Sequence, residues 1–210
     1  MKRKQSKRFC SLVLSLIMML ALAPAALAAR FTDVPETFWC YEDVEFAVRN
    51  GLVSGTSATT YSPDKNLTYA EAIKLAACMH KKAAEGTTDG FTSGSPWYQP
   101  YVDYAKANKI ITKDYVWTAP ATRAGYMEIF ANAIPSTGLK DSKLALTAMN
   151  RVDDNTIPDV SGTHPQAEAI YKLYRAGILQ GSDAAHNCSP DSYIKRGAVA
   201  AILTRMMDPA

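Results

Sequence analysis

The sequence predicts an all-α fold in which three helix–loop–helix repeats share one core, and three observations carry that prediction. A set of landmarks recurs about three times after residue 30, in constant order. Every periodic apolar segment has the helical period. The stretches between those segments are short and hold glycine, proline and serine, so they are turns rather than strands.

In the first copy, Phe31-Thr32-Asp33-Val34-Pro35 leads to Trp39, then Asn50-Gly51-Leu52-Val53, Tyr61-Ser62-Pro63 and Leu67-Thr68-Tyr69-Ala70-Glu71. The third reads Ile157-Pro158-Asp159-Val160, Arg175-Ala176-Gly177-Ile178-Leu179, Cys188-Ser189-Pro190-Asp191 and Ile194-Lys195-Arg196-Gly197. Asp33 to Gly51 and Asp159 to Gly177 both span 18 positions. The middle copy is worn: Phe91, Trp97, Asn108-Lys109-Ile110-Ile111, Trp117-Thr118-Ala119-Pro120 and Ala121-Thr122-Arg123-Ala124. Trp39 to Gly51 and Trp97 to Lys109 are still both 12 positions, so the register survives.

The first helix of the first repeat is predicted from Tyr41, Val44, Ala47 and Val48, with Gly51 as its stop, because a helix end at positive φ is strain-free only for glycine. Ala167, Ile170, Leu173, Tyr174 and Gly177 repeat that pattern. Tyr101, Tyr104, Ala105 and Asn108 keep the period in the middle copy, where Lys109 replaces the glycine and is expected to weaken the cap. Second helices follow from Ile73, Ala76, Ala77 and His80, from Tyr126, Ile129, Phe130 and Ala133, and from Val199, Ile202, Leu203 and Met206. Thr68 and Glu71 have the spacing of a capping box, whereas Gly125 and Ala198 stand where Glu71 does, so the box is expected once. Residues 81–90 and 136–156 read as connections, the latter holding a further helical turn around residues 144–149. The resulting division is 31–84, 91–135, a connecting insert 136–156, and 157–207. No single repeat is large enough to bury a core alone, which requires the three to share one.

Residues 1–28 have the order of a secretory signal: Lys2, Arg3, Lys4, Lys7 and Arg8, an apolar run from Leu12 to Leu22, then Ala26-Leu27-Ala28. That run is shorter than the ~20 residues a spanning helix needs, so cleavage and export are expected, with no membrane span afterwards. Without those five cations the net charge falls from +3 to −2, and no basic stripe with interleaved aromatics remains to suggest nucleic acid. Cys40, Cys78 and Cys188 remain, and no cysteine–histidine cluster suggests a metal; no cofactor is expected. A Cys40–Cys78 disulfide is open if the two helices of the first repeat run antiparallel, and three unpaired thiols are the alternative.

The five landmarks in this order resemble the S-layer homology family, over residues 31 to about 207. The resemblance implies a pseudo-threefold helical prism and non-covalent anchoring of exported proteins to secondary polysaccharides of the bacterial cell wall. It also implies that the basic residue opening the second helix contacts acidic groups of that polymer, such as a pyruvate ketal. Here those residues are Arg123 and Arg196, with Tyr69 in the first repeat. Placed at the first helical position, each opposes the macrodipole beside outward-pointing amides, an arrangement that forms an anion site and makes the arginine matter more for binding than for folding. A pairing with Asp33 or Asp159 of a neighbouring repeat is the competing role. Trp39 and Trp97 offer an apolar face and one N–H donor to a sugar ring, or else pack in the core; Pro165 takes their place in the third repeat. Asp33 and Asp159 are expected to accept amides of nearby turns.

Catalysis is not expected. His80, His164 and His186 have no nucleophile or carboxylate at a recognisable spacing, and Asp153-Asp154 lies in a linker. The alternative to glycan binding is a structural or protein-interaction module of the cell surface that has lost it, favoured by Tyr69, Lys109 and Pro165 at family positions.

Overall fold

The computed structural model describes residues 30–134 and 148–207. The signal segment, and the helical turn expected around 144–149 in all but its last two residues, lie outside the described residues. Six helices are present among those described: α1 Tyr41–Arg49, α2 Tyr69–Glu85, α3 Gln99–Ala107, α4 Arg123–Ala133, α5 Ala167–Arg175 and α6 Arg196–Met207. β structure there is confined to three isolated bridges.

The first helices end alike because their closing residues take the same backbone path. Gly51, Lys109 and Gly177 sit at φ +69°, +57° and +71°. Each is followed by a residue whose amide reaches back five positions: Leu52 to Ala47 O (2.9 Å), Ile110 to Ala105 O (2.8 Å) and Ile178 to Leu173 O (3.0 Å). Lys109 therefore keeps the full turn rather than losing it, at the cost of a left-handed conformation that suits glycine.

α2 runs further than the sequence reading allowed, through residues expected to be connection. Lys81-Lys82-Ala83-Ala84-Glu85 are good helix formers, Lys81 pairs with Glu85 one turn on, and the helix stops at Gly86 with φ +76°. At its start the capping box is complete: the Thr68 amide donates to Glu71 Oε2 (2.8 Å) and the Glu71 amide to Thr68 Oγ1 (3.2 Å). α4 keeps half of the device, with the Gly125 amide donating to Thr122 Oγ1 at 3.1 Å.

The helices pack across units. α1 lies on α6, α2 on α3 and α4 on α5, while α2 also meets α4. Each first helix thus leans on the second helix of the unit before it, and α1 closes the circle on the last. That swap removes the antiparallel α1–α2 pair on which a Cys40–Cys78 bridge depended. The three cysteines among the described residues are free; Cys40 is buried against α6 near Gly197, and Cys188 packs its sulfur 3.6 Å from that of Met127.

At the centre the segments leading into α2, α4 and α6 meet. The Leu67 amide donates to Ile194 O (2.9 Å), Ile194 to Ala121 O (3.0 Å) and Ala121 to Leu67 O (2.7 Å), a closed ring of three hydrogen bonds. Around it a single core draws Phe31, Ile73 and Met79, Ile110, Tyr126 and Phe130, Ile170 and Leu203 from all three units.

Candidate functional site

The circular packing leaves interfaces at which one unit's loop faces the start of another unit's second helix. Two of them are open grooves. The larger, of about 540 Å³, lies between the loop at Gly51–Ser54, α2, Trp97 and Arg196. The smaller, of about 320 Å³, lies between the loop at Leu179–Ser182, α6, Trp39 and Arg123. The four residues singled out from sequence are therefore brought together in pairs, Trp97 with Arg196 and Trp39 with Arg123. The spacing along the chain hides this, since the members of the two pairs are 99 and 84 positions apart.

The tryptophans do not fill the core. Trp39 is 63% exposed and Trp97 50%, so the core alternative is set aside. Each indole stands at the entry to a first helix that packs on the preceding unit, which places it on the rim of the interface.

The arginines do open α4 and α6, but the anion site built from helix amides is not there. The Arg123 and Ala124 amides donate to Ser192 O (2.8 Å) and Pro190 O (2.9 Å), and those of Arg196 and Gly197 to Lys65 O (3.0 Å) and Pro63 O (2.8 Å). With the end amides taken by a neighbouring unit's carbonyls, only the guanidinium groups are left to meet an anion.

Each guanidinium is itself tied to the neighbouring loop. Arg196 Nε donates to Tyr61 O (2.9 Å) and Nη2 to Ser54 O (2.8 Å), its plane lies 4.6 Å from the Tyr61 ring centre, and Glu71 Oε1 is 3.9 Å from Nη1. Its side chain is only 11% exposed. Arg123 Nε donates to Cys188 O at 2.7 Å, and the rest of its guanidinium makes no hydrogen bond among the described residues.

Asp33 and Asp159 complete this clamp from the other side, so the arginine–aspartate pairing considered above does not form. Asp33 accepts the Tyr61 and Ser62 amides (2.8 and 2.7 Å), and Asp159 those of Cys188 and Ser189 (2.7 and 2.6 Å). These amides are nearly thirty residues away, not in the aspartate's own turn. One peptide in each loop is thereby held by its amide from an aspartate and by its carbonyl from an arginine. Ser62 and Ser189, next in line, sit at φ +59° and +53°. Burial pushes the Tyr61 hydroxyl to about 12 despite the arginine beside it, and the Cys188 thiol also to about 12.

The third interface has no arginine at the corresponding place. Tyr69 takes the arginine's place, stacks on Tyr115 with ring centres 4.6 Å apart, and bonds Thr122 Oγ1 through its hydroxyl at 3.2 Å. Glu128 binds Lys113 at 2.7 Å and accepts from the Tyr115 hydroxyl at 3.0 Å. Gly125 makes the arrangement possible, because a Cβ there would stand 2.3 Å from the Tyr69 hydroxyl. The Ala70 amide donates to Trp117 O (2.8 Å) as that of Gly197 does to Pro63 O, so Trp117 occupies ahead of α4 the place that Pro63 holds ahead of α2.

The landmarks that build the clamp are those shared with a known family. Residues 30–73 and 156–200 each match the S-layer homology domain. The first span carries Asp33, Trp39 and Gly51, and the second Asp159, Gly177 and Arg196; the α3–α4 unit lies outside both. Over 115 residues, half of this chain, the sequence is 32% identical to the surface-layer 125 kDa protein of Lysinibacillus sphaericus. Over 87 residues, 39% of the chain, it is 31% identical to an S-layer protein of Bacillus thuringiensis subsp. finitimus. The aligned part spans only about 10% of the length of either relative. No helix among the described residues is long and apolar enough to cross a membrane.

Proposed function

We propose that this protein is exported and anchors non-covalently to the bacterial cell wall by holding an anionic secondary polysaccharide, for example one bearing a pyruvate ketal, in the two open grooves. The observation that carries the reading is the pairing of an exposed indole with a guanidinium in each groove. An indole face covers the apolar side of a sugar ring, and a guanidinium with N–H donors to spare meets an acidic substituent. The two S-layer homology spans and the surface-layer relatives support a place at the cell wall. In this reading the α3–α4 unit is a third, diverged repeat, and the circular packing is the pseudo-threefold prism of the family.

Purified sacculi provide the test. Protein lacking residues 1–28 is expected to sediment with intact sacculi and to stay in solution once acid extraction has removed the secondary polymers. Replacing Trp39 and Trp97 together by Ala should cut binding roughly 5- to 150-fold, stacking contacts being worth about 0.5–1.5 kcal/mol each. Equal sedimentation with extracted sacculi overturns the reading. Tyr69 packed in place of an arginine at the third interface favours one alternative, a surface module that has lost glycan binding, and failure to bind intact sacculi would select it.

A further inference from the structure

Resting on that reading, we infer that the two open grooves are not interchangeable: the Trp39 groove takes the polymer's acidic group between Arg123 and Arg205, and the Trp97 groove takes an uncharged sugar. The difference is written on the second helices. Counting from the first helical residue, Glu71, Lys74 and Cys78 of α2 correspond to Ala198, Ala201 and Arg205 of α6. The Trp97 groove therefore sets a carboxylate against its arginine, while no acidic residue lines the Trp39 groove.

The arginines differ in what they have left to give. A guanidinium carries five N–H donors. Arg196 spends donors on Tyr61 O and Ser54 O, is covered on one side by the Tyr61 ring and faces Glu71. Arg123 gives one N–H to Cys188 O, and Arg205 gives one, from Nη1, to Ile178 O at 3.2 Å. Among the described residues each of these last two is oriented by a single backbone carbonyl and keeps four donors. Two such forks beside an exposed indole suit a group with several anionic oxygens on a stacked ring, and carboxylate and phosphate both fit. The Trp97 groove, larger and with Lys74 directed at the Tyr101 ring (5.8 Å), offers mixed charges better matched to hydroxyl and amide groups.

Two measurements test the assignment. In the first, arginine Nε–H resonances of the protein lacking residues 1–28 are followed by NMR during titration with sodium pyruvate and, separately, inorganic phosphate. At least one anion is expected to shift Arg123 and Arg205 together and saturably with Arg196 unmoved, and the stronger of the two names the acid as carboxylate or phosphate. A shift at Arg196 equal to that at Arg205, or none at Arg205 with either anion, overturns the inference. In the second, Arg205→Gln, which keeps an N–H for Ile178 O but loses the charge, is sedimented with intact sacculi. At least a tenfold loss of binding and a shallower decline with salt are expected, since the lost contact is ionic. Unchanged binding and salt dependence overturn the inference while leaving the anchoring reading intact. If the unaltered protein does not bind sacculi, it is the anchoring reading that falls, and the titration still decides which groove takes the anion.

Discussion

Replacing Arg196 by Ala should destabilise the protein, and this separates it from Arg123. The side chain donates to Tyr61 O and Ser54 O and lies against the Tyr61 ring, with little of it exposed. Hydrogen bonds from a charged donor contribute about 1.5–3 kcal/mol each, and a cation over a ring about 0.5–1 kcal/mol more. These terms share one side chain and do not add fully, and water reaches the vacated carbonyls, which leaves a loss of ~3 kcal/mol. For a chain of this size that is a fall in Tm of about 6–12 °C. Arg123→Ala gives up one such bond and should cost roughly 1.5 kcal/mol. Urea unfolding followed by circular dichroism at 222 nm measures both. A loss below ~1 kcal/mol for Arg196→Ala, or equal losses for the two variants, would refute the idea that Arg196 is chiefly a strut between units.

Three more expectations follow from local geometry. Lys109→Gly should raise stability by about 0.5–1 kcal/mol in the same unfolding assay, since the left-handed turn is kept and the strain removed. Gly125→Ala should lower it by at least ~1 kcal/mol, because the new Cβ collides with the Tyr69 hydroxyl, and Tyr69→Phe in the same chain should restore part of the loss. His80 is largely buried and bonded through Nδ1 to the Tyr104 hydroxyl at 2.9 Å, and desolvation depresses its pKa, with Glu85 opposing only in part. Its contribution is complete above the unfolded value of about 6.5 and is lost as pH falls below it, where the unfolded chain takes up the proton first. Stability measured between pH 7.5 and 5 should therefore decline, and less so in His80→Gln.

The helices and their ends were legible because they rest on local rules: apolar residues three and four apart, a glycine after the last turn, threonine three residues before glutamate. The pairing of the helices was not, since Val44 and Ala47 show a buried face without saying whether α2 or α6 covers it. The same gap concealed that Trp39 shares a groove with Arg123 and Trp97 with Arg196. Lys109 misled in the other direction. Lysine disfavours the left-handed turn, but the surrounding contacts hold it there. Arg205 could have been noticed as a cation on the face of α6 that carries Ala198 and Ala201, where α2 has Glu71 and Lys74. Its partner Arg123 is 82 positions away, and only the folded chain joins them.

The contact of α1 with α6 has a bearing on how such a chain is made and moved. The first helix described finds its cover in the last, so the longest closure among the described helices must be made before α1 is sheltered. Closure over that distance adds little to the entropic cost compared with a shorter loop, but it cannot begin until Met207 is free to move. Until then the apolar face of α1 is uncovered and the ring through Leu67, Ala121 and Ile194 is one segment short. A chain that cannot finish folding from α1 onward therefore keeps that helix's apolar face open to other partners until α6 arrives.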